Sequence, residues 1–377
     1  MKVVSLGGCG AMGRATSHEL AGNSDVELVI ADADLDAAND LAADLPGEID
    51  TAEVDVTDHD RLVEVLADAD VVANALPYAF NVDVMEACLE AEVHYLDLGG
   101  LYHKTQEQLE LDEAFDETGL TAVLGIGASP GLTNIAAAQG ASHLDHVDEV
   151  HIRTGAKGGS DGFAYSAKTI LDELTMNPIV FKDGEFKELE PLSGRGTYTL
   201  PDPVGKVEGF HSIHSELATM PYTFEGVETV DFRVAFSPDL VNICDVLIGL
   251  NLTSEEELEF KGTEFSPREF LDWHLDRQPK PGAIEEWKSF QVDVTGKENG
   301  EPTHYQLTVV VESRLDDWGL KATAVWTGVP MGIAAELIGR GDALDTGAKP
   351  PEQLLDPELF IDELRERDIE INETRNP

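Results

Sequence analysis

Three glycines near the start of the chain, Gly8, Gly10 and Gly13, have the spacing of a phosphate-holding turn. They sit in Gly8-Cys9-Gly10-Ala11-Met12-Gly13, between an apolar run at residues 3–6 and a helix-like run at residues 11–20. In such a strand–turn–helix the first glycine permits the turn. The second lets backbone approach a pyrophosphate, and the third lets the helix close on the strand. Ala11 and Met12 bring free N–H groups to the positive end of that helix, where phosphates bind. A second apolar run, residues 27–31, ends at Asp32, where a carboxylate can accept hydrogen bonds from a ribose. Dinucleotide binding is the expected chemistry. A carboxylate there repels a 2′-phosphate, and the following Ala33, Asp34, Leu35 and Asp36 offer no arginine to neutralise one, so NAD is expected rather than NADP.

These groups need a scaffold, and the chain supplies one by alternation. Apolar runs at residues 3–6, 27–31, 49–56, 71–76, 93–98 and 121–126 read as strands, with helical patterns at 35–45, 58–66, 81–91 and 104–118 between them. Six strands with intervening helices make a doubly wound parallel sheet, whose ligands bind at the carboxyl ends of the strands. Asp55 lies at one such end, either reaching the adenine edge or capping the next helix, and Asn74, Ala75, Leu76 and Pro77 lie at another. Gly127-Ala128-Ser129-Pro130-Gly131 then opens an apolar helix at 132–140.

From Val147 the texture changes. Strand-like runs at 149–154, 229–236, 290–296, 304–312 and 322–327 alternate with glycine-rich turns and a few helices, including 166–174 and 267–275. This predicts an α+β domain on a mixed or antiparallel sheet. A helical pattern returns at 332–338.

Composition bounds the partners. Of 377 residues, 74 are Asp or Glu and 25 are Lys or Arg, a formal net charge of −49 dispersed along the chain. That is the surface of a protein suited to high salt, a halophilic pattern, and it repels phosphate backbones and anionic lipids, so neither a nucleic acid nor a membrane is expected as partner. Cys9, Cys88 and Cys244 fall in no metal or disulfide spacing, and no signal-peptide layout opens the sequence; a cytoplasmic location is expected.

Five motifs in order, the glycine turn, Asn74-Ala75-Leu76-Pro77-Tyr78-Ala79-Phe80, His94-Tyr95-Leu96-Asp97-Leu98-Gly99-Gly100, Gly127-Ala128-Ser129-Pro130-Gly131 and Leu337-Ile338-Gly339-Arg340-Gly341, resemble the saccharopine dehydrogenase family. The likeness runs on to Pro350-Pro351-Glu352-Gln353-Leu354, is tightest over residues 1–140 and loosest over 155–225, and is nearest to the lysine 6-dehydrogenases of the family. It implies a Rossmann domain of residues 1–130 plus 328–377, and an inserted α+β domain of residues 131–327 for substrate binding and dimerisation. It also implies an NAD-dependent oxidoreductase working on a C–N bond of a basic amino acid or its derivative, foremost oxidative deamination of the lysine ε-amine to 2-aminoadipate 6-semialdehyde. Saccharopine- or carboxynorspermidine-type imine chemistry is the alternative. A non-catalytic NAD-binding sensor or scaffold would use the same fold.

Such a reaction needs a base for the ammonium proton, an anion to hold the cation, and a cation for the α-carboxylate. Asp97, Tyr78 and His211 are the candidates for the first two. Gly99 and His214 stand beside them, and Arg153 and Lys157, with Arg195 also considered, are the candidates for the third because cations are scarce in this chain. His211 and His214 form an HxxH without a third ligand at fitting distance, so no metal is expected. The resemblance also implies self-association as a homodimer, through the sheet face of the inserted domain.

Overall fold

The computed structural model describes residues 1–159, 165–275, 277–278, 282 and 284–376. The first half runs β1 (Lys2–Leu6), α1 (Gly13–Asn23), β2 (Glu27–Asp32), α2 (Leu35–Asp44), β3 (Asp50–Glu53), α3 (His59–Leu66), β4 (Val71–Asn74), a 3-10 turn (Tyr78–Phe80), α4 (Asn81–Ala91), β5 (His94–Asp97), α5 (Leu101–Leu109), α6 (Asp112–Thr118), β6 (Thr121–Val123) and α7 (Leu132–Ser142). Then come β7 (His146–Gly158), α8 (Ala167–Thr175), β8 (Ile179–Lys182), β9 (Glu185–Glu188), β10 (Gly196–Thr199), β11 (Lys206–His211), α9 (Glu216–Thr223), β12 (Thr229–Val234), α10 (Pro238–Gly249), β13 (Leu258–Phe260), β14 (Thr263–Phe265) and α11 (Pro267–Leu275). The chain closes with β15 (Glu286–Glu298), β16 (Glu301–Glu312), α12 (Ala322–Arg340), β17 (Gly347–Lys349), α13 (Pro351–Leu354), α14 (Pro357–Glu366) and β18 (Glu370–Asn376).

Seven parallel strands form the first sheet in the order β17-β6-β5-β4-β1-β2-β3. Its central strands read as continuous apolar runs because both faces are covered: Val3, Val4, Val71, Val72 and Ala73 are wholly buried. The strand order reverses between β1 and β4, so the crevice at the switch point opens beside the glycine turn. The second sheet has nine strands among the described residues, with β10-β11-β12-β7-β15-β16-β18 as its path, β8 beside β12 and β9 beside β8; β12 and β7 are parallel and the other pairs antiparallel. The chain is thus a Rossmann sheet joined to a mixed α+β body.

Paired residues share a face, and faces alternate along a strand. Phe232, Ile152, Val292 and Leu307 therefore lie on one face of the second sheet with Lys288, and all four apolar members are buried. That inner face is covered by α7 and α12. Asp231, Arg233, His151, Arg153, Gln291 and His211 belong to the opposite, outer face.

Three expectations change. Residues 322–327 are not a strand but the start of α12, which is buried all round and so gives no period to distinguish helix from strand. Gly328 and Gly332 let it lie against α1, since a Cβ at Gly328 would come 2.5 Å from the Ala15 Cβ. The helix expected over 104–118 breaks into α5 and α6 at Glu110 and Leu111. The return of residues 328–377 to the first sheet is divided: β17 extends that sheet beside β6, whereas β18 pairs with β16 at the edge of the second. Arg367 fastens the returning chain, donating to Glu19 on α1 at 2.6 Å and to Glu336 on α12 at 3.1 Å, all three buried.

Candidate functional site

The glycine turn fits a pyrophosphate. A Cβ at Gly13 would lie 2.3 Å from the Gly7 carbonyl oxygen, and one at Gly8 would lie 2.9 Å from the Ser5 oxygen, so both glycines are fixed by packing of turn on strand. Gly10 and Ala11 are exposed at the tip. No side chain caps α1, no acidic residue lies in its first turn, and the amides of Ala11 and Met12 have no backbone partner among the described residues. Those are the donors an anion would take. Asp32 Oδ2 accepts from the Cys9 amide at 3.1 Å, which holds the carboxylate against the turn, and Leu76 packs over Gly7 as a wall. Asp55 lies past the end of β3, exposed, and accepts from Thr57; Asp58 is the residue that caps α3.

Asp97 does not face a ligand. It is wholly buried, with Oδ1 accepting from the amides of Gly99 at 2.7 Å and Gly125 at 2.8 Å. Its Oδ2 accepts from Tyr95 at 2.8 Å, Asn81 at 3.1 Å and the Gln108 amide. Burial raises its pKa while these donors oppose the shift. With five donors and no opening to solvent, it braces the strand ends rather than serving as a base. Asn74 is likewise spent inside, on Asn81 at 3.2 Å, Tyr95 at 3.1 Å and the Leu76 amide at 3.1 Å, so its side chain is not presented to a cofactor. Ala75 and Pro77 flank that turn at the strand end, with Pro77 exposed. Gly99 has φ +103°, and a Cβ there would meet Pro130 at 2.5 Å, so packing accounts for the glycine.

Tyr78 crosses to the second body. Its hydroxyl donates to Asp172 on α8 at 2.7 Å, and Asp172 also receives Arg268 at 2.6 Å and Lys168 at 3.3 Å. Burial, then this carboxylate, raises the phenol's pKa, and the bond ties the two bodies together.

The outer face of the second sheet takes the remaining candidates away from the strand ends. His211 is buried beneath the loop at Gly194, with Nδ1 3.4 Å from the Phe232 carbonyl oxygen and Nε2 3.4 Å from Arg233, and burial lowers its pKa. Arg153 is taken by Asp231 and by its neighbour's carbonyl at 2.7 Å. Arg195 pairs with Asp245 at 3.0 Å, and Lys157 is exposed near the end of β7. Arg153, Lys157 and His211 thus belong to the face opposite Lys288.

What does stand beneath the strand ends is His214, on the connection from β11 to α9. Its ring stacks on Phe232 with centroids 3.9 Å apart, and Nδ1 bonds the Glu216 carboxylate. The other Glu216 oxygen accepts from Ser129 at 2.8 Å and Thr133 at 2.6 Å, both on the stretch that follows β6. Between them, Ser215 Oγ accepts from the Gly100 amide at 3.3 Å and from Thr105 at 3.0 Å. The segment is therefore docked on the loops after β5 and β6.

Two further charged groups act on one another nearby. Glu173 on α8 accepts from Tyr165 at 2.8 Å, and burial raises its pKa against the pull of His214 and Lys288. Lys288 projects from the inner face, its ammonium 5.4 Å from the Trp326 ring centroid; burial lowers its pKa, opposed by Glu286 and Glu173. Lys288, Glu173 and Glu216 were not among the sequence candidates. The signal was there for Lys288, a cation between Trp287 and Phe290 within a strand, and for Glu216, two residues beyond His214. Among the described residues no group of His, Cys, Asp and Glu is arranged to hold a metal.

Comparison with known proteins agrees with this architecture. The model of the saccharopine dehydrogenase NADP binding domain matches residues 3–123, and that of the saccharopine dehydrogenase C-terminal domain matches residues 127–369. The chain belongs to the saccharopine dehydrogenase family. It is an oxidoreductase of that family with a nicotinamide-dinucleotide-binding domain. Carboxyaminopropylagmatine dehydrogenase of Synechocystis is 26% identical over 399 residues, covering 100% of this chain and 98% of the relative. Carboxynorspermidine synthase of Vibrio alginolyticus is 26% identical over 397 residues, 94% of this chain and 92% of the relative. In fold, apo saccharopine dehydrogenase (L-Glu forming) from Saccharomyces cerevisiae superposes with a TM-score of 0.74 at 17% identity, covering 100% of this chain and 99% of the other.

Proposed function

We propose that the protein is an NAD-dependent oxidoreductase acting at the C–N bond of a cationic amine that also carries an amino-acid carboxylate. The observation that carries this reading is one lysine, Lys288, on the inner face of the second sheet with the carboxylates of Glu286 and Glu173 acting on it. In this reading Lys288 would receive a single carboxylate, and Glu173 would hold an ammonium. Trp326 and Phe232, buried on the same side, would exclude water from the space between. The bound nicotinamide would supply or accept hydride at the carbon next to the nitrogen. The glycine turn would take its pyrophosphate and Asp32 its ribose, which favours NAD.

The names of the two full-length relatives support a carboxylated polyamine as substrate, a secondary amine with one carboxylate and several ammonium groups. Deamination of the lysine ε-amine is the second reading, because lysine also presents one carboxylate to Lys288. A substrate panel at high salt separates them, following NADH absorbance with carboxynorspermidine, saccharopine and lysine in the oxidative direction. Turnover of carboxynorspermidine above the other two is the expected result. Turnover of lysine alone would replace this reading with deamination. NAD binding with no turnover of any amine would make the protein a sensor or scaffold.

A further inference from the structure

An amine can be oxidised only from its neutral form, so the site needs a group that takes a proton from the substrate ammonium. None of Asp97, Tyr78 and His211 is placed to do so. We propose that His214 Nε2 is that group, with Glu216 as the residue that positions it; this rests on the amine-oxidising reading above. The N–H bond of the ammonium breaks, its electron pair stays on nitrogen, and an Nε2–H bond forms.

Four observations converge. His214 Nδ1 is committed to Glu216, so Nε2 is the nitrogen left for chemistry, and it has no hydrogen-bond partner among the described residues. The orienting carboxylate is itself fixed at 2.8 Å by Ser129 and at 2.6 Å by Thr133, the base–orienter arrangement that holds an imidazole in one tautomer. Stacking on Phe232 fixes the ring plane. Ser215 anchors the segment to Gly100, which places the imidazole at the carboxyl ends of β5 and β6, where a doubly wound sheet presents its ligands.

The charges around the ring set its pH response. Glu216 faces it from α9 and Glu173 from α8; Lys288 on β15 faces Glu173, and Glu352 on α13 faces Glu216. Burial opposes an imidazolium, but Glu216 and then Glu173 favour it, and the net direction is upward from the ordinary histidine value. Only neutral His214 can accept a proton. Oxidation therefore rises with pH through that elevated value, and the reverse reduction, which needs the imidazolium as donor, falls through it.

His214→Gln, Glu216→Gln and the outer-face control His211→Gln test this, each first checked for NADH binding by fluorescence. Two readouts are taken: kcat and KM against pH with the amine found active, and NMR titration of the His214 Cε1–H in the protein without ligands. The expected result is a fall in kcat of about 10²- to 10⁴-fold for His214→Gln with little change in KM and loss of the pH limb. Glu216→Gln should move both the limb and the NMR midpoint to lower pH, and His211→Gln should change neither. Wild-type kcat and pH profile in His214→Gln would overturn the assignment while leaving the amine reading intact, and an NMR midpoint unmoved by Glu216→Gln would remove Glu216 as the positioning residue. A wild-type protein inert to every amine would overturn the substrate reading and the proton's source with it, whatever the titration shows.

Discussion

Asp32 and Asp97 each end an apolar strand, and their surroundings give them opposite tasks. Asp32 is held at the surface of the glycine turn with its carboxylate partly open, so Asp32→Ala should weaken NAD binding by about 10- to 100-fold, the loss of hydrogen bonds to a charged group, and narrow the preference over NADP. Calorimetry with both dinucleotides checks this; unchanged NAD affinity would remove the ribose role. Asp97 is a brace, and Asp97→Asn should cost about 3 kcal/mol of stability by turning an N–H toward donors, while the folded fraction keeps its kcat. Denaturation with turnover per folded molecule decides, and a stable but inactive variant would restore Asp97 to the chemistry. The sequence could show that a carboxylate stood at each strand end, because strand and turn are local patterns. It could not show that residues 81, 95, 99, 108 and 125 would converge on one of them. Nor does alternation along a strand say which face is covered. Arg153 and Lys288 are both cations within strands, and only the packing of α7 and α12 puts Lys288 inside and Arg153 out.

At the scale of elements, the Rossmann half was legible from its βα alternation, whereas α12 was not, since an apolar run buried on every side carries no period. The short α13 shows how the returning chain is held. Glu352 accepts from Asn134 on α7 at 2.7 Å and sits near Thr223 on α9 at 3.5 Å. Burial pushes its pKa up from 4.5 to about 7, against the bonds that favour its charge. In the folded protein it keeps its proton to higher pH than in the unfolded chain, so its contribution to stability is intact at acid pH and is lost as pH rises from 4.5 through 7. Glu352→Gln keeps the acceptor without the titration. Its stability relative to the natural protein should grow across that range, by up to roughly 3 kcal/mol, as read from urea denaturation at several pH values. A difference independent of pH would contradict the assignment.

At the scale of the molecule, nine of the thirteen exposed large apolar side chains among the described residues lie between residues 243 and 284, among them Leu250, Phe260 and Trp273. On a chain of net charge −49, such a concentration predicts self-association through the α10–α11 arm. Sedimentation at high salt should give a dimer that Phe260→Glu with Trp273→Glu converts to monomer, and a natural protein that is monomeric at all concentrations would contradict it. The proposed site belongs to the same scale, because its parts come from both bodies: the glycine turn and strand ends from one, His214, Glu173 and Lys288 from the other. A crystal structure with NAD and the amine that turns over tests this division most directly. The account predicts the carboxylate on Lys288 Nζ and the reacting nitrogen within hydrogen-bond reach of His214 Nε2; a ligand on the outer face, at Arg153 or His211, would contradict it.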